Sequence, residues 1–277
     1  RRTLPRRQHG LPRKPRESDG GRVEASRTQT PNLGKSSPKL MRMTPIIVFV
    51  PGFLRSERIH AALLADWRRD FEVVVWHLPG HLRPRAAKPG LRTMLTQLRH
   101  TAENVLAHRE LIIVGESLGG LLGMILAVNG PSKNVRAVLA LDPPLAVGKL
   151  WPIHQQLGDA WKANPGSTLL EDYGEPVFGH GKEGIVRCPD YTSVLSHRPA
   201  CPVHVLAGDA PLWPQRECFE PPSLLDNDDR RLINEAPNYQ LHVTTGGVGH
   251  EVLMEAPDQV RTLLQHLIRD LQALDEA

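Results

Sequence analysis

From residue 45 onward, short continuous apolar runs alternate with longer stretches of helical period, and this alternation constrains the fold more than any other feature. Ile46-Ile47-Val48-Phe49-Val50 is unbroken, β-branched and stopped by Pro51-Gly52, so it reads as a strand buried on both faces. Residues 57–69 place Ile59, Leu63, Leu64 and Trp67 near the helical period, and Phe71–Trp76 then makes a second buried strand ending at Leu78-Pro79-Gly80. Leu91–His108 carries an apolar stripe through Met94, Leu95, Leu98 and Ala102, and Leu111–Val114 follows as a third strand. A helix from about Leu118 meets the stop signal Asn129-Gly130-Pro131, and Val135–Leu141 is a fourth strand closing at Asp142-Pro143-Pro144. Pro202–Ala207 and Tyr239–Thr244 supply two more strands, and Val252–Leu274 a C-terminal helix interrupted near Pro257. The class expected is α/β, a mostly parallel doubly wound sheet covered by helices on both faces. Residues 145–200 break the rhythm. They hold Trp151, Trp161, Tyr173, Phe178 and Tyr191 among many Gly and Pro, and are expected to form a cap or lid inserted after the fourth strand. Its aromatic side chains either pack its interior or line an apolar substrate site.

The charge is divided along the chain. Residues 1–42 hold 12 Lys and Arg against 3 Asp and Glu, leaving 22 against 27 for the rest. Residues 1–43, rich in Pro, Ser, Thr, Gly and Arg and without apolar periodicity, are expected to be a disordered basic tail ahead of one domain spanning 44–277. Prolines 5, 12, 15, 31 and 38 would interrupt the amphipathic helix that an organelle presequence needs, and Met41 and Met43 stand just before the first strand. Nucleic acid is not an expected partner except through this tail. No run of about 18 apolar residues occurs, so no membrane-spanning helix is expected. Cys188, Cys201 and Cys218 are odd in number and lack C-x-x-C spacing, which indicates neither a disulfide framework nor structural zinc and suits the cytoplasm. Among the histidines, His77 and His81 read as turn or groove residues without a third metal ligand, and His60, His100, His108 and His266 as surface or boundary residues of helices. His204 and His242, alternating with apolar neighbours, read as satisfied buried histidines.

Gly115-Glu116-Ser117-Leu118-Gly119 fits G-x-S-x-G, and its setting gives the match weight: a buried strand runs into it and an apolar helix leaves it. A turn this sharp strains its central residue and needs neighbours without bulk. It would present the Ser117 hydroxyl at the carboxyl end of the sheet, beside a helix N-terminus. A serine hydroxyl is a poor nucleophile without a base, and His250 follows the last strand in the flexible run Gly246-Gly247-Val248-Gly249. The imidazole needs a carboxylate to fix its tautomer. Asp209, in Ala207-Gly208-Asp209 just after the preceding strand, is the candidate, in the chain order Ser, Asp, His.

With these motifs, residues 45–275 resemble the α/β-hydrolase superfamily: Val50-Pro51-Gly52-Phe53, Leu78-Pro79-Gly80-His81, the serine elbow, Gly208-Asp209, and Gly249-His250 running on to Glu255-Ala256-Pro257. The resemblance implies Ser117 as nucleophile, His250 as general base and then acid, Asp209 as orienting acid, and an oxyanion hole from the backbone N–H groups of Phe53 and Leu118. His77 stands where the family often has Asp, and Pro51 where it often has His. The segment Asp209-Ala210-Pro211-Leu212-Trp213-Pro214 departs from the family's usual carboxylate-to-proline spacing. Asp142, at the end of the fourth strand where some relatives place the acid, is the alternative. The expected activity is hydrolysis of an ester or thioester of a small, apolar acyl compound, without metal or organic cofactor. Acyl transfer and amide or carbon–carbon cleavage use the same residues. From a different class comes a non-catalytic binding protein that keeps the fold.

Overall fold

The computed structural model describes residues 44–86, 90–130, 133–215 and 221–276; the basic segment 1–43 and Cys218 lie outside the described residues. The strands are β1 (Ile46–Val50), β2 (Val73–Val75), β3 (Leu111–Glu116), β4 (Val135–Leu141), β5 (His180–Gly181), β6 (Gly184–Ile185), β7 (Val203–Ala207) and β8 (Tyr239–Val243). Six of them form one sheet in the order β2-β1-β3-β4-β7-β8, every pair parallel, while β5 and β6 make a small antiparallel ladder of their own. The helices are α1 (Ala61–Trp67), α2 (Leu91–His100), α3 (Leu118–Val128), α4 (Trp151–Ala163), α5 (Thr168–Phe178), α6 (Asn227–Glu235), α7 (Val252–Glu255) and α8 (Pro257–Glu276).

The continuous apolar runs behave as a two-sided sheet requires. Every residue of β1 and β3 is buried, and alternate side chains feed two separate cores. Ile46, Val48, Val50 and Ile113 join Met94, Leu98, Leu121 and Leu122 on one face. Ile47, Phe49, Ile112 and Val114 join Leu64, Trp67, Leu264 and Leu267 on the other. The second strand, expected to be buried, is instead only half-buried at all three positions because β2 forms one edge of the sheet. β8 is the other edge, with a mixed burial pattern.

Three stretches differ from their sequence expectation. The helix expected over Leu91–His108 stops as an α-helix at His100 and closes through a π-helical turn, Thr101–Val105. Residues 145–200 contain α4 and α5, the β5–β6 ladder and a 3₁₀ turn at Thr192–Ser196 rather than irregular chain. α5 starts at Ser167, whose hydroxyl accepts the Leu170 N–H at 3.4 Å, and ends at Gly179 in the left-handed conformation, φ 66°. Tyr173 fixes it to the main body by donating its hydroxyl to the Pro79 carbonyl at 2.7 Å. α6 was not expected. Its sequence is mostly charged, and it is set by a capping box in which Asp226 and Asp229 each accept the other's backbone N–H. Lys149 joins both carboxylates, at 2.7 and 2.8 Å, and so ties the start of the 145–200 segment to α6. The C-terminal helix is broken as expected, α7 ending before Pro257 opens α8. Among the described residues no helix is long and apolar enough to cross a membrane, and no group of three His, Cys, Asp or Glu is placed to hold a metal ion.

Candidate active site

The site lies at the carboxyl end of the sheet, where β1, β3, β4 and β7 run out. Ser117 joins β3 to α3 with φ 52° and ψ −118°, a conformation that L-residues avoid. The glycines on either side make it possible. A Cβ on Gly115 would lie 2.3 Å from the Gly119 carbonyl, and one on Gly119 would lie 2.0 Å from the Val50 oxygen. The turn is pinned by the Ser117 N–H donating to Leu141 O at 2.8 Å, and α3 begins with Leu121 N–H to Ser117 O at 3.0 Å. Leu118, the first residue of α3, has an N–H among the four that no helical carbonyl can satisfy.

His250 stands opposite, on the loop between β8 and α7. Its backbone N–H donates to Pro221 O at 2.9 Å. Gly249 is pressed so closely against that carbonyl that a Cβ there would come within 2.0 Å of it. Glu255 takes the Gly249 and Glu251 N–H groups at 2.8 and 3.2 Å, so the turn expected to be flexible is fastened at three points around the imidazole.

The carboxylate on that imidazole is Asp142. Its Oδ2 lies 2.8 Å from His250 Nδ1. Asp142 is completely buried and receives three further donors: the Leu224 N–H at 2.8 Å, the Ser223 hydroxyl at 2.6 Å and the Gly208 N–H at 3.3 Å. Such a set satisfies an ionised carboxylate from every side except that of the imidazole. Asp209, expected from sequence in this place, points into the loop that carries His250 instead. It accepts from Val248 N–H at 2.7 Å, Gly247 N–H at 3.0 Å and the Thr244 hydroxyl at 3.1 Å. Burial acts to raise its pKa, but those backbone and hydroxyl donors outweigh it and hold the carboxyl below its ordinary value. Gly208, directly before Asp209, lies against the histidine loop, where a Cβ would meet the Gly249 oxygen at 2.1 Å. Asp142 itself adopts φ 45°, which turns its side chain off the end of β4.

The third component is the loop after β1. Gly52 lies so close behind the nucleophile that a Cβ there would sit 3.2 Å from Ser117 Cβ, and Phe53 follows it into the same cavity. Glu116 and His60 also belong to this part of the interior. Glu116 is buried and accepts Gly52 N–H at 3.3 Å, and its Oε2 pairs with His60 Nε2 at 3.0 Å. Burial acts to raise the Glu116 pKa, yet the His60 hydrogen bond and nearby positive charge overcome it and the net shift is downward. His60 is thus an interior residue at the foot of α1, not the surface or boundary residue expected, packed edge-on against Phe49 with ring centroids 5.5 Å apart. A charged residue between a buried strand and a buried helix was the signal that a partner had to exist.

Ser117 and His250 face a cavity of about 300 Å³. The 145–200 segment contributes Ile153, Gln156, Leu157 and Phe178 to its walls, so part of that segment's apolar content lines the space and part, such as Trp161, is interior packing. At the mouth an Arg55–Glu251 ion pair joins the loop after β1 to the residue after His250.

Comparison with known proteins agrees with this architecture. No curated protein matches the sequence. The chain resembles MenH from S. aureus (14% identity, TM-score 0.59, covering 84% of this chain and 96% of that one). It is also similar to the enol-lactonase from Burkholderia xenovorans LB400 (16%, 0.55, covering 82% and 92%) and an esterase of Pyrococcus furiosus (10%, 0.58, covering 82% of each). At these identities the likeness is one of fold. The model of the alpha/beta hydrolase family matches residues 47–263, most of the chain and all of the site, and the protein belongs to that family.

Proposed function

We propose that this protein is a serine hydrolase that cleaves an ester or thioester of a small, apolar acyl compound through an acyl-enzyme on Ser117. Ser117 Oγ attacks the substrate carbonyl carbon while His250 takes its proton. The imidazolium so formed is stabilised by Asp142, which also holds Nδ1 as the protonated nitrogen and leaves Nε2 free to act. The oxyanion is received by the Phe53 and Leu118 N–H groups, of which the second sits at the positive end of α3. His250 returns the proton to the leaving alcohol or thiol, then deprotonates the water that releases the acid.

The observation that carries this reading is the 2.8 Å contact between His250 and fully buried Asp142, made beside a serine held at φ 52°. The small acyl group is supported by the cavity, which at about 300 Å³ lies at the lower end of the range of ligand pockets and has Ile153, Leu157, Phe178 and Leu224 on its walls. The test is site mapping by mass spectrometry after treatment of the folded protein with a fluorophosphonate. The adduct is expected on Ser117 and is expected to vanish in His250→Ala, in parallel with hydrolysis of p-nitrophenyl butyrate. A folded protein that takes no label and turns over no short-chain ester would refute the hydrolase and leave a cavity used for binding alone.

A further inference from the structure

Phe53 is flanked by two amides that side chains hold. On one side the Gly52 N–H donates to Glu116 Oε2 at 3.3 Å, and on the other the Leu54 N–H donates to His81 Nε2 at 3.0 Å. The peptide between Gly52 and Phe53 carries the N–H assigned to the oxyanion; it lies between these two anchored amides, and its own carbonyl accepts the Arg55 N–H at 3.1 Å. Leu54 adopts φ 60°, a left-handed conformation that leucine avoids. Strain of this kind persists only where the surroundings over-determine the backbone, and an acceptor aimed at the strained residue's own N–H supplies that.

His81 sits on the loop after β2, is only 7% exposed, and packs edge-on beside the rings of Phe53 and Tyr173, with centroids 5.8 and 5.2 Å away, while those two rings stack on each other at 5.0 Å. An imidazole that accepts at Nε2 must be neutral with its proton on Nδ1. Burial lowers the His81 pKa, aided by His77 and opposed by the Pro79 carbonyl. His81 is not among the side chains that line the Ser117 cavity, so it acts on turnover only indirectly, through the Phe53 ring or the backbone of residues 52–54.

We propose that His81 is a positioning residue for the oxyanion hole: by accepting the Leu54 N–H it holds the Phe53 amide where the tetrahedral oxygen forms. This rests on Ser117 acting as the nucleophile of an acyl transfer to water. Phenylalanine in place of His81 keeps a ring against Phe53 and Tyr173 and removes the acceptor. Glutamine restores one, its Oε1 reaching about as far from the backbone as Nε2 does.

With p-nitrophenyl butyrate as substrate, His81→Phe is expected to lower kcat about 10–100-fold and change KM less than about threefold, because the lost interaction belongs to the transition state. His81→Gln is expected to recover most of that kcat. Amide hydrogen exchange read by NMR gives a measure independent of turnover: Leu54 should exchange at least about tenfold faster in His81→Phe than in wild type or His81→Gln. If wild type turns over in a Ser117-dependent manner but His81→Phe matches it in kcat, or the glutamine variant is as impaired as the phenylalanine one, the positioning role is overturned and the hydrolase stands. If wild type itself neither turns over nor takes a fluorophosphonate at Ser117, the hydrolase reading falls and this inference falls with it.

Discussion

Asp142 and Asp209 stand at the ends of neighbouring strands with different work to do. Asp142, four donors around it, holds one imidazole. Asp209 holds the shape of residues 244–248. Asp142→Asn is expected to lower kcat about 10³–10⁴-fold with little change in KM, because an amide presents the wrong hydrogen-bonding partner to Nδ1 and the histidine loses its tautomer. Asp209→Asn should keep kcat within about tenfold and cost about 1–2 kcal/mol of stability, the loss of charge-assisted bonds to a loop. Steady-state kinetics and thermal melts of both variants decide, and the reverse pattern would return the orienting role to Asp209. Ser117 and His250 were legible because each sits in a local motif of unusual glycine content. The carboxylate beside His250 was legible only as one of two aspartates that end adjacent strands, because the groups that surround Asp142, from Gly208, Ser223, Leu224 and His250, lie 66 to 108 residues further along the chain. The same holds for His60 and Glu116, 56 residues apart in sequence and bonded in the interior.

At the level of elements, the elbow depends on how closely α3 lies against the sheet. β3 sits between β1 and β4, in register from Val50 opposite Gly115 to Glu116 opposite Leu141, so the serine leaves the sheet at its centre. The helix can follow at once only because Gly115 and Gly119 meet without side chains. Gly115→Ala puts a Cβ against backbone atoms of Gly119 and Gly120, which no rotamer change relieves. The expected cost is about 2–3 kcal/mol or more, visible as a lower urea midpoint, together with weaker labelling of Ser117. An alanine variant of undiminished stability would mean that α3 can shift away from β3 without penalty. The strands of this sheet were legible because parallel strands buried on both faces read as continuous apolar runs. The helices of residues 145–200 were not. α4 buries Pro152 and His154 alongside Leu157 and Trp161, and α5 contains Pro176, so neither shows a simple apolar stripe. α6 is illegible for the opposite reason, being mostly charged and held by its caps.

Across the whole molecule, the sheet joins a strongly apolar centre at β1, β3 and β4 to a more polar edge at β7 and β8, where two histidines meet. His204 Nδ1 and His242 Nε2 are 3.1 Å apart and their rings stack within 7° of parallel. Such a contact needs one nitrogen to donate and the other to accept, so protonating both rings would leave two donors face to face. Burial lowers the His204 pKa to about 4, with His242 adding to the shift and Asp270 opposing it; His242 is lowered by burial as well. Asp258 and His266 of α8 face the groove beside His242. The sign of the effect on stability follows. Between pH 6.5 and 4 the unfolded chain binds a proton at position 204 that the native protein refuses, so stability is full above pH 6.5 and falls as pH drops toward 4. For His204 alone the loss is about 3 kcal/mol. Urea midpoints of wild type should therefore fall steadily over this range, and His204→Leu, which removes the titrating group from a buried strand position, should flatten the fall by about one proton's worth of slope. If the two proteins lose stability in parallel from pH 6.5 to 4, the proton uptake that unfolds the molecule in acid belongs to other groups.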